Sequence, residues 1–432
     1  MKKLVLVLFI TSVLVLSASA SGQGSGGGES LAGEVTFWQS YPAVNDVYTD
    51  YAEEYMKEHP DAKVTLSLFT ARAFDDKVNT AMPAGTAGDI LEGWDGQVWA
   101  YISAGLLAEP PDYMVDYYRE TTMKLLQSDR KLYGIPTFVG LKFLFWNKDW
   151  FADVGLDRAP TTITEMMDYA KKLTVYDDAG NPVKAGLAFR VSGGGYGVAE
   201  KWWMKTLGPM GKAPIEVTGD RKWASNFDTK EAVDSVQYYL DGLYNYKVDS
   251  FDIERDIAGF AKGKSAMCQK ESQAIPFLTD TAPDLEYGIA PMPGDKIRGT
   301  LAVIIRNYVN ADCKNKTLAW DVIKYFNAPE RHKKMFLETG WNPVRGDVDY
   351  SSVYKAKPKY AGLMDFPPGY TAYFYPANDS WSEIWPKAGE WLTKIYTRED
   401  LANDRKALEA ECKAFSDSVN QILRDNNEYA PK

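Results

Sequence analysis

Hydrophobic residues along this chain switch repeatedly between a period of two and a period near 3.6. Positions 35–38 form a short apolar run that ends in the polar stretch 39–42, after which Val47, Tyr48, Tyr51, Tyr55 and Met56 recur at three and four residues. The first pattern predicts a strand, the second a helix capped by Asn45 or Asp46. Pro60 breaks that helix; 63–69 alternates as a strand, 74–82 has helical spacing, 89–91 is a strand and 98–104 a helix ended by Gly105. The turn residues Gly134 and Pro136 lead into an apolar run, 138–146, that predicts one buried strand. Further on, helices are predicted at 161–173 (cap Thr162 or Thr164), 200–207, 229–243, 316–326 and 401–423, and strands at 185–191, 265–268 and 301–307. This rhythm predicts an α/β layer architecture with a mostly parallel sheet. In such sheets ligands sit at loops beyond strand C-termini, which nominates 38–41 and 92–95.

The first twenty residues stand outside the rhythm. Lys2 and Lys3, the apolar run 4–16 and Ala18-Ser19-Ala20 read as a signal peptide, 1–20, cleaved near Ala20. No Cys follows the apolar run, so a cysteine-linked lipid anchor is not expected, and the protein is expected in the periplasm or outside the cell. Residues 21–32, rich in Gly and Ser, read as a flexible tether. The 432 residues, 45% hydrophobic, leave room for two or three domains or one large bilobal body. A net charge of -10 without a basic run argues against nucleic acid. Cys268, Cys313 and Cys412 are widely spaced and odd in number; they read as apolar fillers or isolated thiols, and whether two of them pair is left open. His59 and His332, the latter on a charged helix face, have no ligand at metal-site spacing. Neither a phosphate-binding loop nor a dinucleotide fingerprint occurs, and Ser192-Gly-Gly-Gly195 reads as a mobile loop. No cofactor and no metal are expected.

Several short motifs, in their order, carry a resemblance. They are Ala84-Gly-Thr-Ala-Gly-Asp89, Ala104-Gly-Leu-Leu-Ala-Glu-Pro110, Lys131-Leu-Tyr-Gly-Ile-Pro136 with Asn147-Lys148-Asp149, Ala290-Pro-Met-Pro-Gly294, Ala328-Pro-Glu330 and Trp341-Asn-Pro343. From about residue 33 to 423 the chain resembles the extracellular solute-binding proteins of family 1, the sugar-type receptors of ABC importers. The resemblance implies a periplasmic-binding-protein-like α/β fold: two discontinuous lobes, a three-segment hinge and a cleft between the lobes. Lobe one would hold 33–138 and 293–343, lobe two 139–292 and 344–432. It implies a non-enzymatic monomer that binds a small carbohydrate and delivers it to membrane permease subunits.

A neutral polyol needs directional partners for its hydroxyls and a flat ring for its C–H face, and aromatic side chains supply rigid area at low ordering cost. The chain has 13 Trp and 27 Tyr, several of them in loops: Trp38, Tyr41, Trp94, Trp202, Trp203, Trp341, Tyr373, Tyr375 and Trp381. The resemblance places a ligand-contacting loop at Trp38-Gln39-Ser-Tyr41 and a sugar-binding carboxylate at Asp95, beside Trp94; the alternative for Asp95 is a helix cap. Val139-Gly140-Leu141 stands where maltose-binding relatives carry a carboxylate, which puts a maltose-like contact set in doubt, and Phe138 is the substitute by stacking. In lobe two the resemblance points to Tyr196 and Trp202 (with Trp203 pointing elsewhere), Glu271, and the Gly299-Thr300 turn. It adds Trp341 and Arg345 at the third crossover, then Asn378 and Trp381 before an aromatic helix. The competing readings are an exported glycoside hydrolase, which also has an aromatic cleft with carboxylates, and a receptor for a charged ligand such as a polyamine.

Overall fold

The computed structural model describes residues 31–127, 131–193 and 195–432; the expected signal peptide 1–20, residues 21–30 of the expected tether, 128–130 and Gly194 lie outside them. In chain order the strands are β1 (Gly33–Gln39), β2 (Ala62–Leu68), β3 (Ile90–Trp94), β4 (Gly134–Gly140) and β5 (Lys142–Asn147). Two small hairpins follow, β6 (Val175–Tyr176) with β7 (Pro182–Lys184), and β8 (Ile215–Gly219) with β9 (Lys222–Ser225). Then come β10 (Met267–Glu271), β11 (Tyr287–Pro291), β12 (Gly299–Leu301), β13 (Val303–Val309), β14 (Asn342–Pro343) and β15 (Thr371–Tyr373).

Two sheets organise the chain. The larger has the order β14-β4-β13-β3-β1-β2, the smaller the order β10-β5-β11. Strands β2, β1 and β3 run parallel, but β13 is antiparallel to both β3 and β4, and every pairing of the smaller sheet is antiparallel. The mostly parallel sheet expected from the strand–helix rhythm is therefore mixed. The return of β13 from a distant part of the chain, which local pattern does not encode, makes the difference.

The predicted single strand 138–146 is two. It leaves the larger sheet after Gly140 and enters the smaller at Lys142. The chain returns between β11 and β13, and touches the larger sheet a last time at β14. All seven residues of β4 are buried, as an interior strand covered on both faces requires. The predicted strand 185–191 makes only a bridge from Ala185 to Ser265. A side chain at Gly186 would strike the carbonyl of Ala170, so this segment lies against a helix rather than in a sheet.

Helices cover the sheets through the predicted stripes. Asn45–Glu58 buries Val47, Tyr48, Tyr51, Ala52 and Tyr55 against the larger sheet, but neither Asn45 nor Asp46 caps it: the helix follows directly on the turn Pro42–Val44. Thr162 does cap Ile163–Leu173, accepting the amide of Glu165 at 3.0 Å. The C-terminal helix begins at Arg405, capped by Asp404, and runs to Asp425. His332 is buried, not on an exposed face; its Nε2 meets Asn327 Oδ1 at 3.1 Å. Cys268, Cys313 and Cys412 are buried and free. No helix among the described residues is long and apolar enough to cross a membrane.

Candidate functional site

The change of sheet at Gly140 places chemistry from both sheets together. Phe138 on β4 packs beside Trp341, just before β14, at 5.2 Å between ring centroids. Tyr41, from the loop after β1, meets Phe138 at 5.4 Å and Trp341 at 5.8 Å, edge-on in both cases. Gly340, left-handed at φ 73°, ends the preceding helix and turns the chain into Trp341. The Trp341 indole N–H has no hydrogen bond among the described residues.

Across Gly140 stands a buried ion cluster. Lys142, 3% exposed, holds Glu200 at 2.9 Å and Glu271 at 2.7 Å. Glu271 faces it directly across the β5–β10 register. Thr300 fixes the lysine backbone, accepting its N–H at 2.9 Å and donating to its carbonyl at 3.1 Å. Glu200 also accepts the Tyr375 hydroxyl at 3.2 Å. A side chain at Gly140 would sit 3.3 Å from Trp341 and 3.6 Å from both Glu271 and Lys142, so this position lies in contact with both the rings and the ions. Burial opposes the charge on Lys142, but the two carboxylates more than offset it and keep its pKa above the ordinary lysine value. Burial likewise opposes ionisation of Glu271, and Lys142, Lys201 and Lys270 outweigh it, holding that carboxyl well below the usual range.

A second group of rings joins the parts. Trp94, at the end of β3, lies 5.4 Å from Tyr196 and 5.0 Å from Tyr375, residues that pack with the smaller sheet. Beneath Tyr41, Glu92 accepts the backbone amides of Ser40 at 2.8 Å and Tyr41 at 3.2 Å. Burial pushes Glu92 up to about 7 despite these bonds.

The structure thus gathers Tyr41, Trp94, Phe138, Tyr196, Glu271 and Trp341 around one locus, and assigns other work to the remaining candidates. Asp95 is neither a free acceptor nor a cap. The antiparallel register sets Arg306 opposite Gly93, on the face Asp95 shares, and Arg306 Nε binds Asp95 at 2.6 Å. Trp202 is wholly buried, stacked on Phe227 at 5.4 Å and bonded to Ser235 at 2.8 Å. Trp381 is wholly buried on Trp385, and Trp203 joins the same aromatic core. Arg345 grips Asp347 with two nitrogens and the carbonyl of Asn327 with the third. Trp38 lies on the opposite sheet face from Phe37, against Phe69 at 5.2 Å. Gln39 is buried and donates to Asn45. Gly299 lies where a side chain would strike the carbonyl of Thr371, so it serves the β12–β15 pairing, and Thr300 holds Lys142. Asn378 is buried, its backbone carbonyl accepting the Trp381 amide, with neither side-chain amide atom bonded among the described residues.

Lys142 and Glu200 were the residues missed; Glu92 stood only within the nominated loop 92–95, and Tyr375 only among the loop aromatics. Lys142 had a signal: it is the one charged residue inside the apolar run 138–146. Glu200 had none, because an acid on a helix reads as solvated until its partner is known. Among the described residues no cluster of potential metal ligands occurs.

Residues 41–333 match the family model described as bacterial extracellular solute-binding protein. The chain belongs to that family. The arabinooligosaccharide-binding protein of Bacillus subtilis (strain 168) is 25% identical over 408 residues, 87% of this chain and 85% of that protein. A putative binding protein of Brucella abortus (strain 2308) is 25% identical over 374 residues, 80% and 84% of the two chains. Two solved solute-binding proteins share the fold. An ABC substrate-binding protein of Listeria monocytogenes in complex with cycloalternan superposes with a TM-score of 0.74 at 18% identity, covering 90% of this chain and 99% of that one. The cyclic alpha-maltosyl-1,6-maltose binding protein of Arthrobacter globiformis gives 0.72 at 20% identity, covering 91% and 100%. This solute-binding protein thus has the two-bodied periplasmic-binding architecture, and the ring and ion locus lies where its chain changes sheet.

Proposed function

We propose that this chain is the solute-binding component of a carbohydrate ABC importer. It takes a neutral oligosaccharide between lobe one (33–138 and 293–343) and lobe two (139–292 and 344–432) and delivers it unchanged to permease subunits. It acts as a monomer outside the cytoplasm, after removal of its leader near Ala20 and without a cysteine-linked lipid. The observation that carries this reading is the meeting of Tyr41, Phe138 and Trp341 with the Lys142–Glu200–Glu271 cluster across Gly140. Rings offer a face to sugar C–H groups, and ionised carboxylates accept hydroxyls. A micromolar receptor needs about 8 kcal/mol. Two stacking rings, Tyr41 and Trp341, backed by the wholly buried Phe138, at about 0.5–1.5 kcal/mol each, with several charge-assisted hydrogen bonds at about 1.5–3 kcal/mol each, reach that range. The Bacillus relative, an arabinooligosaccharide-binding protein by name, makes oligosaccharides the first class to test.

Two features weigh against the alternatives. A glycosidase needs a protonated carboxyl facing the substrate as general acid, whereas the cations around Glu271 hold it ionised and Glu92, the raised carboxyl, is wholly buried on the Ser40 and Tyr41 amides. A polyamine needs uncommitted carboxylates, whereas Glu200 and Glu271 already share Lys142. Calorimetric titration with arabino-, galacto- and malto-oligosaccharides, with putrescine and an aryl glycoside as the opposing arms, is the test. Saturable binding of an oligosaccharide recovered intact supports the reading; tight putrescine binding or glycoside turnover overturns it.

A further inference from the structure

A cavity of about 340 Å3 lies beside the smaller sheet and borders the ion cluster, since Lys201 in its wall stands 3.9 Å from Glu271; none of the three rings lines it. Its walls come from the segment 188–192, β10, the helix Tyr196–Trp202 with its continuation Trp203–Leu207, and the loop 253–256. In a protein of net charge -10, the lining is cationic. Arg190, Lys201, Lys205 and Arg255 face one carboxylate, Asp256, and that carboxylate is already shared by Arg190 at 3.3 Å and Lys270 at 2.9 Å.

The donors of this cavity are under-used. Lys205, 1% exposed, donates to one backbone carbonyl, that of Ala188 at 2.9 Å. The nearest acid behind it, Asp249, is bonded to the amides of Phe189 and Ser250. Arg255 reaches Ser192 and the carbonyl of Ser250, but its Nε, like that of Arg190, has no partner among the described residues. Gln269, 4% exposed, has neither amide atom bonded among the described residues. Buried donors of this kind are satisfied in folded proteins by protein, water or ligand. Gly197 lets the Arg190 guanidinium lie on the helix, since a side chain there would stand 2.7 Å from its Cζ. Burial, with Lys201 adding to it, pulls Lys205 down to about 7, so an oxyanion bound beside it would favour its charged form.

We propose that this cavity is a second ligand site, which takes a small hydroxylated molecule bearing one oxyanion group, a carboxylate or a phosphate. Arg190, Arg255 and Lys205 hold the oxyanion and Gln269 a hydroxyl. The volume falls at the lower end of the roughly 300–1,000 Å3 range of small-molecule pockets, so it suits a monosaccharide-sized body rather than an oligosaccharide. The proposal is independent of the sugar reading of the ring locus.

The test is calorimetric titration of the full chain with D-glucuronate, D-glucose 6-phosphate, inorganic phosphate and D-glucose. It is repeated on Arg255→Gln, Gln269→Leu and Trp341→Ala, with circular dichroism to establish that each variant is folded. The expected result is saturable binding of glucuronate or of the sugar phosphate, whichever source fits, that is unchanged in Trp341→Ala. Binding weakens about tenfold or more in Arg255→Gln, as loss of a charge-assisted bond requires, and in Gln269→Leu. Inorganic phosphate binds more weakly and D-glucose does not report on this site. Binding lost in Trp341→Ala but kept in Arg255→Gln would put the anion in the ring locus and overturn the proposal. So would equal binding in every variant, or none of the anions binding to the parent chain.

Discussion

Replacing Lys142 with methionine tests the organisation of the ring locus most severely. Lys142 is 3% exposed and neutralises two carboxylates whose own exposures are 16% and 12%. The substitution keeps the length of the side chain and removes the charge, leaving Glu200 and Glu271 facing each other with Lys201 at 3.9 Å and Lys270 at 4.0 Å from Glu271. Breaking a buried ion pair from one side costs about 3–5 kcal/mol, because the remaining charge has lost its partner. We expect a loss in that range at neutral pH, measured by urea unfolding. The penalty has a pH signature. In the parent chain Glu271 is depressed below its ordinary 4.5, so its stabilisation is present above that value and fades as pH falls further. In Lys142→Met the burial that opposes ionisation of Glu271 is no longer outweighed by Lys142, and its cost is relieved as Glu271 takes up a proton. The two stability curves therefore converge as pH falls toward about 4.5. Adding Glu271→Gln to Lys142→Met should recover part of the loss. A cost below about 1 kcal/mol, the range of solvated surface pairs, with parallel pH curves would refute the buried cluster.

Asp95→Ala should destabilise the fold by about 3–5 kcal/mol, since it strands the buried Arg306; a loss of ligand affinity with unchanged urea midpoint would return Asp95 to the binding site. Trp202→Ala should cost about 3–5 kcal/mol of stability as a core cavity, whereas Trp341→Ala should act chiefly on binding, a contrast that thermal melts and titrations read together. Glu92 stands at about 7 in the fold against 4.5 otherwise, so it costs stability as pH rises through that window. Glu92→Gln should therefore gain on the parent by about 3 kcal/mol between about pH 4.5 and about pH 8, and urea midpoints that stay parallel over that range would contradict it.

The frame was legible because periodicity and turn residues are local. The helix stripe of 47–56 and the cap at Thr162 stand where pattern placed them, whereas Gly134 and Pro136, read as a turn, already belong to β4. The site was legible only in part. Tyr41, Phe138 and Trp341 lie at strand ends and crossovers, so their positions in the chain announce their positions in space. Asp95 was misread because its partner, Arg306, is 211 residues away on a strand whose antiparallel register no local pattern encodes. Trp202 and Trp381 were misread because an aromatic near a helix end looks the same whether it faces a cleft or a core. The break at Leu141 was hidden inside continuous apolar character, and the lone charge of Lys142 was the one mark that it left.

The central claim is that a neutral oligosaccharide binds between the lobes on Tyr41 and Trp341, backed by the buried Phe138, and leaves unaltered. Isothermal titration of an oligosaccharide panel against the parent chain and Trp341→Ala, with the ligand recovered and analysed afterwards, tests it most directly. The account predicts saturable binding of an intact oligosaccharide, at least about tenfold weaker once the central ring is removed from a folded chain. Equal affinity in Trp341→Ala, or recovery of a hydrolysed sugar, would contradict it.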